Sequence, residues 1–398
     1  MAITKPDLVP ATASSRGLRL DSIDMLRGAA IALMALDHVR DFWSDYPADP
    51  LNLAHTTPAL FLTRWITHFC APSFVLLAGI SASLQRRQGK TTGRLSIFLA
   101  TRGLWLILLD VLVVSPSWAF RFGQLNLQVL WAIGWSMLAL SALVWLPRRV
   151  VLAVGLLIVA GHNLLDGLKP EAFGAFAPVW LFLHATGGPV TLAPGVSAVF
   201  LYPVLPWMGL MAVGYAVGEL FELETSSRRR MLLTLGLSAV AVFAILRLSN
   251  LYGDPGAWRL QSTPLNTVFS FAAVNKYPPS LLFVLMTVGA ALILLSVLEQ
   301  ARGPIARAAL TFGRVPTFFY LLHVPLIHAA ASGMRVATGL AAKSVNGVST
   351  VFRSPHPWGF GLPVVFVVWG LVLAALYGPC LYWGALKRRR EDVWLSYL

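Results

Sequence analysis

Between Asp21 and Trp43 the sequence reads DSIDMLRGAAIALMALDHVRDFW, apolar enough to cross a bilayer yet carrying Asp24, Arg27, Asp37, His38, Arg40 and Asp41. Ionisable groups inside a membrane span are costly and mark functional sites by default. At 100° per residue, Asp24, Arg27, Gly28, Ile31, Ala35 and His38 fall within roughly a third of the helix circumference. The rise from Asp24 to His38 is about 21 Å, so a ligand lying along that face crosses most of a membrane. His38, with Asp37 adjacent and Asp41 three residues on, can act as a base, because a nearby carboxylate holds the imidazole tautomer and stabilises its protonated form. At the other end Arg27 is the cation of the face, and Gly28 allows a ligand or a helix to come close. The plainer reading is an ion pair of Asp24 with Arg27 at the mouth of the span, with Asp37 to Asp41 in the headgroups.

The elements that must position these residues follow from composition. The chain has 398 residues, 57% of them hydrophobic and 12% charged, with a mean hydropathy of +0.70, which makes it an all-α polytopic membrane helix bundle rather than a soluble domain. The formal net charge is +14, but the basic residues sit in short clusters between apolar spans, where membrane orientation explains them and nucleic-acid binding is excluded. The two cysteines, Cys70 and Cys380, both fall in apolar spans, so neither a disulfide framework nor a thiolate metal site is expected. Residues 1–20 are polar and carry Pro6 and Pro10; they read as a disordered cytoplasmic tail ahead of one transmembrane domain over 21–398.

With about 20 apolar residues needed per helix, ten spans are expected near 22–43, 63–84, 95–114, 128–146, 150–168, 198–221, 231–249, 279–298, 311–332 and 361–386. Arg86, Arg87, Lys90 and Arg94 follow span two, Arg148 and Arg149 follow span four, Arg228 to Arg230 follow span six, Arg302 and Arg307 follow span eight, and Lys387 to Arg390 follow span ten. The loops between them are longer and poorer in basic residues. This alternation predicts that both termini are cytoplasmic and that loops 169–197, 250–278 and 333–360 lie outside, as in a bacterial inner-membrane protein.

On that orientation Asp37 and His38, Arg64 and His68 of span two, Asp110, His162, Asp166 and His328 fall in the outer half, with His323 nearer mid-membrane. Asp110, His162 and Asp166 read as structural. Arg64, His68, Lys276 and His323 are the candidates to support an outer site, and His55, His68 and His323 are the rivals of His38 as the base. Span two offers Ala71, Ser73, Ala78, Gly79, Ser81 and Ala82 for close packing, and Pro72 predicts a kink near His68. The outer loops show no sustained strand alternation. No metal site is expected, since His323 and His328 are five apart, on different helix faces, with no carboxylate positioned beside them.

Walker, Rossmann, nucleophile-elbow and H-E-x-x-H signatures are all missing. The segments S-I-D-M-L-R-G-A-A-I-A-L-M-A-L-D-H-V-R-D-F-W, T-R-W-I-T-H-F-C-A-P-S-F-V-L-L-A-G and N-K-Y-P-P-S, with the terminal W-L-S-Y-L, resemble the bacterial branch of the heparan-alpha-glucosaminide N-acetyltransferase catalytic-domain family, within the wider transmembrane acyltransferase superfamily. The resemblance covers essentially the whole chain after residue 20. It implies an enzyme that takes an acyl group, acetyl or another, from cytoplasmic acyl-CoA and delivers it to a glycan or amino-sugar-type acceptor at the outer side, with acyl-CoA as co-substrate and no metal. On this reading the pantetheine arm lies in a groove past Asp24, Arg27 and Gly28. The partners are membrane lipid, acyl-CoA and the acceptor, and a homodimer is compatible. The sequence departs from the animal enzyme, whose proposed catalytic histidine follows span one; the histidine there, His55, differs in spacing, and the position of His38 is not a histidine in that enzyme. The competing classes are a proton-coupled transporter or exporter using Asp37, His38 and Asp110 as a relay, and a structural membrane protein whose buried charges only fix helix packing.

Overall fold

Eight helices of the computed structural model, which describes residues 20–46, 49–338, 358–390, 392 and 395, are long and apolar enough to cross a membrane. The expected tail, most of loop 333–360 with Pro355 to Pro357, and most of the terminal W-L-S-Y-L lie outside the described residues. Two more helices complete the ten expected segments: α1 (Asp21–Trp43), which carries the charges already noted, and α6 (Val129–Leu143), which has only 15 residues. The chain is an all-α polytopic integral membrane protein.

Span two divides into α2 (Pro58–Thr67) and α3 (Cys70–Arg87). Pro72 cannot donate to the carbonyl of His68, four residues back, and the helix breaks at His68 and Phe69. Next, α4 (Thr92–Leu109) runs through a π turn over Asp110–Val114 into the short α5 (Ser115–Ser117). Asp110 Oδ2 then accepts the backbone N–H of Gln128 at 3.1 Å, which satisfies a donor at the start of α6. Span five is α7 (Arg148–Gly161) with a 3₁₀ turn over His162–Leu165.

The loops contain structure that period counting missed. The short helix α8 (Ala177–Leu183) lies in loop 169–197, and a three-stranded sheet joins β1 (Gln124–Leu127), β2 (Gly187–Ala193) and β3 (Val196–Phe200) in the order β1-β3-β2. The expectation of no strand there is therefore corrected, and the first residues assigned to span six are strand. These strands are four to seven residues long with Gly, Pro and polar residues among them, too short for alternation to stand out. Pairing of β1 with β3 is parallel, with Leu127 opposite Phe200, so Gln128 and the Leu201–Tyr202 pair leave the sheet at the same end.

The remaining helices are α9 (Val204–Val217), α10 (Thr225–Ser249), α11 (Pro264–Ala272), α12 (Leu281–Leu298), α13 (Pro304–Gly313), α14 (Pro316–Ala337) and α15 (Leu362–Arg389). Alternate connections gather at opposite ends of the bundle. At one end Arg87 donates to the Phe221 carbonyl, Arg228 pairs with Glu299 at 2.5 Å, and Arg314 meets Asp21 at 3.3 Å; this is the basic end. At the other, the capped end, the sheet lies with α2, α8 and α11, and Trp43 donates to the Ile327 carbonyl at 3.3 Å.

Lipid tails are as apolar as the helix surfaces, so helices in a bilayer associate through close packing rather than through exclusion of water. Small residues supply this on α3, where Gly79 abuts the backbone of Met211 and Tyr215 on α9 and Gly214 of α9 abuts Leu76. They also supply it on α1, where a Cβ at Gly28 would collide with the Ala309 carbonyl and one at Gly313 with the Asp24 carbonyl.

Candidate functional site

The residues of α1 that border open space are Arg27, Ile31, Met34, Asp37, His38 and Asp41, spaced mostly three or four apart on one side of the helix. Toward the basic end this side lines a cavity of about 290 Å³ whose cations are Arg27, Arg102, Arg314 and Lys387, with apolar walls from α3, α4 and α6. Toward the capped end it lines a cavity of about 20 Å³ together with Thr67, Cys70, Gln128, Tyr202, Lys276 and Tyr277. Met34, Val129 and Tyr320 border both cavities and so form the partition between them.

Of the three residues expected to line a groove on α1, Arg27 borders the cavity, while Gly28 and Asp24 are packed within the bundle. Gly28 admits α13 rather than a ligand, because the backbone of Ala309 occupies that side. Asp24 is buried and bonds Arg27 at 3.0 Å, away from the cavity lining. Arg27 does line the cavity; its guanidinium also reaches the Leu77 carbonyl at 3.3 Å and the Ser81 hydroxyl.

His38 is held by a histidine. Its Nδ1 lies 2.8 Å from Nε2 of His323, on α14, and both rings are buried. His323 Nδ1 in turn lies 2.7 Å from the Tyr320 carbonyl, which can only accept a hydrogen bond, so His323 carries its proton on Nδ1. Its Nε2 then accepts from His38 Nδ1–H. In the neutral pair, His38 Nε2 is left with a free lone pair on the opposite side of the ring, and His38 borders the small cavity. This arrangement can take up a proton at His38 Nε2.

The carboxylates expected to hold that imidazole border the same small cavity, but their hydrogen bonds go to arginines and Thr67. Asp37 accepts from Arg64 at 2.7 and 2.9 Å, from Arg40 at 2.5 Å and from the Thr67 hydroxyl at 2.7 Å. Asp41 pairs with Arg40 at 2.9 Å and borders the cavity. Arg64 is therefore bound to Asp37, tying α2 to α1. His68 is fully buried against the Phe283 ring, and both its ring nitrogens lack a hydrogen-bond partner among the described residues. Asp110 serves the α6 terminus, as a structural role requires, and Cys70 and Cys380 are both free and buried. His55 lies in the turn after α1 and does not line either cavity.

Three polar groups that the sequence did not single out together line the small cavity with His38. Gln128 Nε2 and the Tyr320 hydroxyl are buried without a hydrogen-bond partner among the described residues, and both side chains line the small cavity. The third, Lys276, was expected near an outer site. It is buried in the N-K-Y-P-P-S segment, and no carboxylate oxygen among the described residues comes within 4 Å of its ammonium, which lies 5.1 Å from the Tyr277 ring centre. Burial pushes the Tyr277 phenol up, but the Lys276 ammonium and the Arg64 guanidinium more than offset this and hold it below the ordinary tyrosine range.

The membrane-spanning bundle thus holds a cavity bordered by four cations and, across Met34, Val129 and Tyr320, a buried imidazole pair. The family model described as "Heparan-alpha-glucosaminide N-acetyltransferase, catalytic" matches residues 19–250, more than half of the chain, and the protein belongs to that family. It is accordingly a membrane enzyme of the acetyltransferase kind. The matched residues include Arg27, His38, Arg64 and Gln128 and stop before Lys276 and His323. The chain matches no curated protein.

Proposed function

We propose that the enzyme moves an acetyl or other short acyl group from acyl-CoA, entering at the basic end, to the amine or hydroxyl of a glycan-type acceptor that reaches His38 from the capped end. The observation that carries this reading is the pair of cavities meeting at Met34, Val129 and Tyr320, one with a cationic mouth and the other bordered by His38. Along α1 the rise from Arg27 to His38 is about 16 Å. A phosphate-bearing head held among Arg27, Arg102, Arg314 and Lys387 would leave an extended arm lying along Ile31 and Met34, its thioester near the partition. By the distribution of basic loops, the basic end is cytoplasmic in this proposal, with both termini on that side and the capped end facing out of a bacterial inner membrane.

In the proposed reaction His38 Nε2 takes the proton of the attacking amine or hydroxyl as its nitrogen or oxygen bonds to the thioester carbonyl carbon. The carbonyl oxygen becomes an oxyanion, which the Lys276 ammonium, the Gln128 amide and the Tyr320 hydroxyl can stabilise. The C–S bond then breaks, and the departing thiolate takes the proton from His38, giving free CoA and the acylated acceptor. His323 keeps the Nδ1–H of His38 directed at itself throughout, the role the carboxylates were expected to play.

The test is acetyl-CoA binding to the purified protein, followed by acceptor-dependent thiol release with glucosamine and related amino sugars. Saturable binding and acceptor-stimulated release are expected. Failure to bind acetyl-CoA, with solute flux coupled to a proton gradient instead, would mark the protein as an exporter.

A further inference from the structure

At the capped end, apart from the cavities on α1, three side chains from two segments converge. His162 and Asp166 are four residues apart on the turn that ends α7, and His184 directly follows α8. One donor atom from each lies within 4.8 Å of the other two. We infer that His162, Asp166 and His184 bind one divalent transition-metal ion of the Zn²⁺ type.

The second observation is the state of His162. It is 2% exposed, and neither ring nitrogen has a hydrogen-bond partner among the described residues. A buried polar group left in this way is destabilising, and histidine is otherwise a poor choice for a packed apolar position. A metal ion supplies a partner for one of the two nitrogens. Two neutral imidazoles and one carboxylate form a donor set suited to Zn²⁺, with a fourth position left for water.

The geometry agrees with that donor set. In a tetrahedral site with bonds of about 2.0–2.1 Å, donor atoms stand about 3.3 Å apart. His184 Nε2 and Asp166 Oδ1 stand 3.1 Å apart as a hydrogen-bonded pair, so an ion that takes both as ligands replaces that bond, with the His184 proton on Nδ1, and draws in His162 from within 4.8 Å. Asp166 also has the outer partner expected of a ligating carboxylate, since Asn163 Nδ2 donates to its Oδ2 at 2.8 Å. The Asn163 side-chain oxygen accepts the backbone N–H of Leu281 at 2.8 Å, and the Thr186 hydroxyl donates to the Tyr277 carbonyl at 3.3 Å. An ion bound here would therefore clamp α7 and the segment after α8 around the loop that carries Lys276 and Tyr277.

The experiment uses the full chain without a histidine tag, stripped with chelator and titrated with ZnCl₂ and with CoCl₂. One equivalent of Zn²⁺ per chain, a higher unfolding temperature on loading, and visible Co²⁺ absorption with the intensity of a four-coordinate site are expected. His162→Gln should abolish stoichiometric binding, and Asn163→Ala should weaken it about 10- to 100-fold. Wild-type protein that takes up no stoichiometric Zn²⁺ or Co²⁺ overturns the proposal, whatever the variants do. So does undiminished binding by folded His162→Gln.

Discussion

The backbones of Gly28 and Ala309 meet so closely that a Cβ carbon on Gly28 would collide with the Ala309 carbonyl oxygen. Because the obstacle is backbone on a neighbouring helix, α1 and α13 would have to separate to admit a methyl group. Gly28→Ala should therefore lower stability by about 1–3 kcal/mol, the usual cost of overpacking. Thermal unfolding in detergent checks this. A variant of unchanged stability whose only defect is weaker acetyl-CoA binding would return Gly28 to the ligand groove.

Arg27 is the α1 cation at the mouth of the larger cavity. A charge-assisted hydrogen bond contributes about 1.5–3 kcal/mol, so Arg27→Ala should raise the acetyl-CoA dissociation constant by about 10- to 100-fold, with turnover at saturation less affected. Direct titration distinguishes this from a purely structural pairing with Asp24, which would cost stability and leave the affinity of the folded fraction unchanged.

Asp37 sits among Arg40, Arg64 and Thr67, with three bonds to its Oδ1 and one to its Oδ2, at the edge of the small cavity. Removing one partner of a buried ion pair costs about 3–5 kcal/mol because the other charge is stranded. Asp37→Asn should destabilise the protein on that scale, and Asp37→Asn combined with Arg64→Gln should recover part of the loss. Normal stability with lost turnover would instead put the Asp37 carboxylate in the chemistry.

Tyr320→Phe removes a buried hydroxyl that lacks a hydrogen-bond partner among the described residues and borders both cavities. Little stability should be lost, since no described bond is broken. If the hydroxyl stabilises the oxyanion, turnover should fall by about 10² to 10³-fold. Unchanged turnover would remove Tyr320 from the mechanism.

The sequence made α1 legible because its charges and its apolar residues separate onto faces, and because ionisable residues stand out in an apolar span. The ten segments were legible for the same reason, with basic clusters marking alternate ends. What stayed hidden was how distant segments meet. His323 follows His38 by 285 residues, and no local pattern shows that its Nδ1 is bound to a carbonyl of its own helix, which is what turns its Nε2 toward His38. Carboxylates beside His38 in sequence were the natural choice of partner, yet helix geometry turns Asp37 toward Arg64. Gly28 permitted either a ligand or a helix, and only the position of α13 decides between them. Likewise His184 lies in a loop read as structureless, and its approach to His162 and Asp166 depends on α8.

The account stands most directly on His38. Acceptor-dependent release of CoA from acetyl-CoA should be measured for wild-type protein and for His38→Ala, alongside unfolding temperature and acetyl-CoA affinity. Loss of a general base should lower turnover by about 10² to 10⁴-fold, with affinity and folding close to wild type. Near-normal turnover in folded His38→Ala would contradict the assignment, and loss of turnover in His55→Ala instead would move the base to the segment that follows α1.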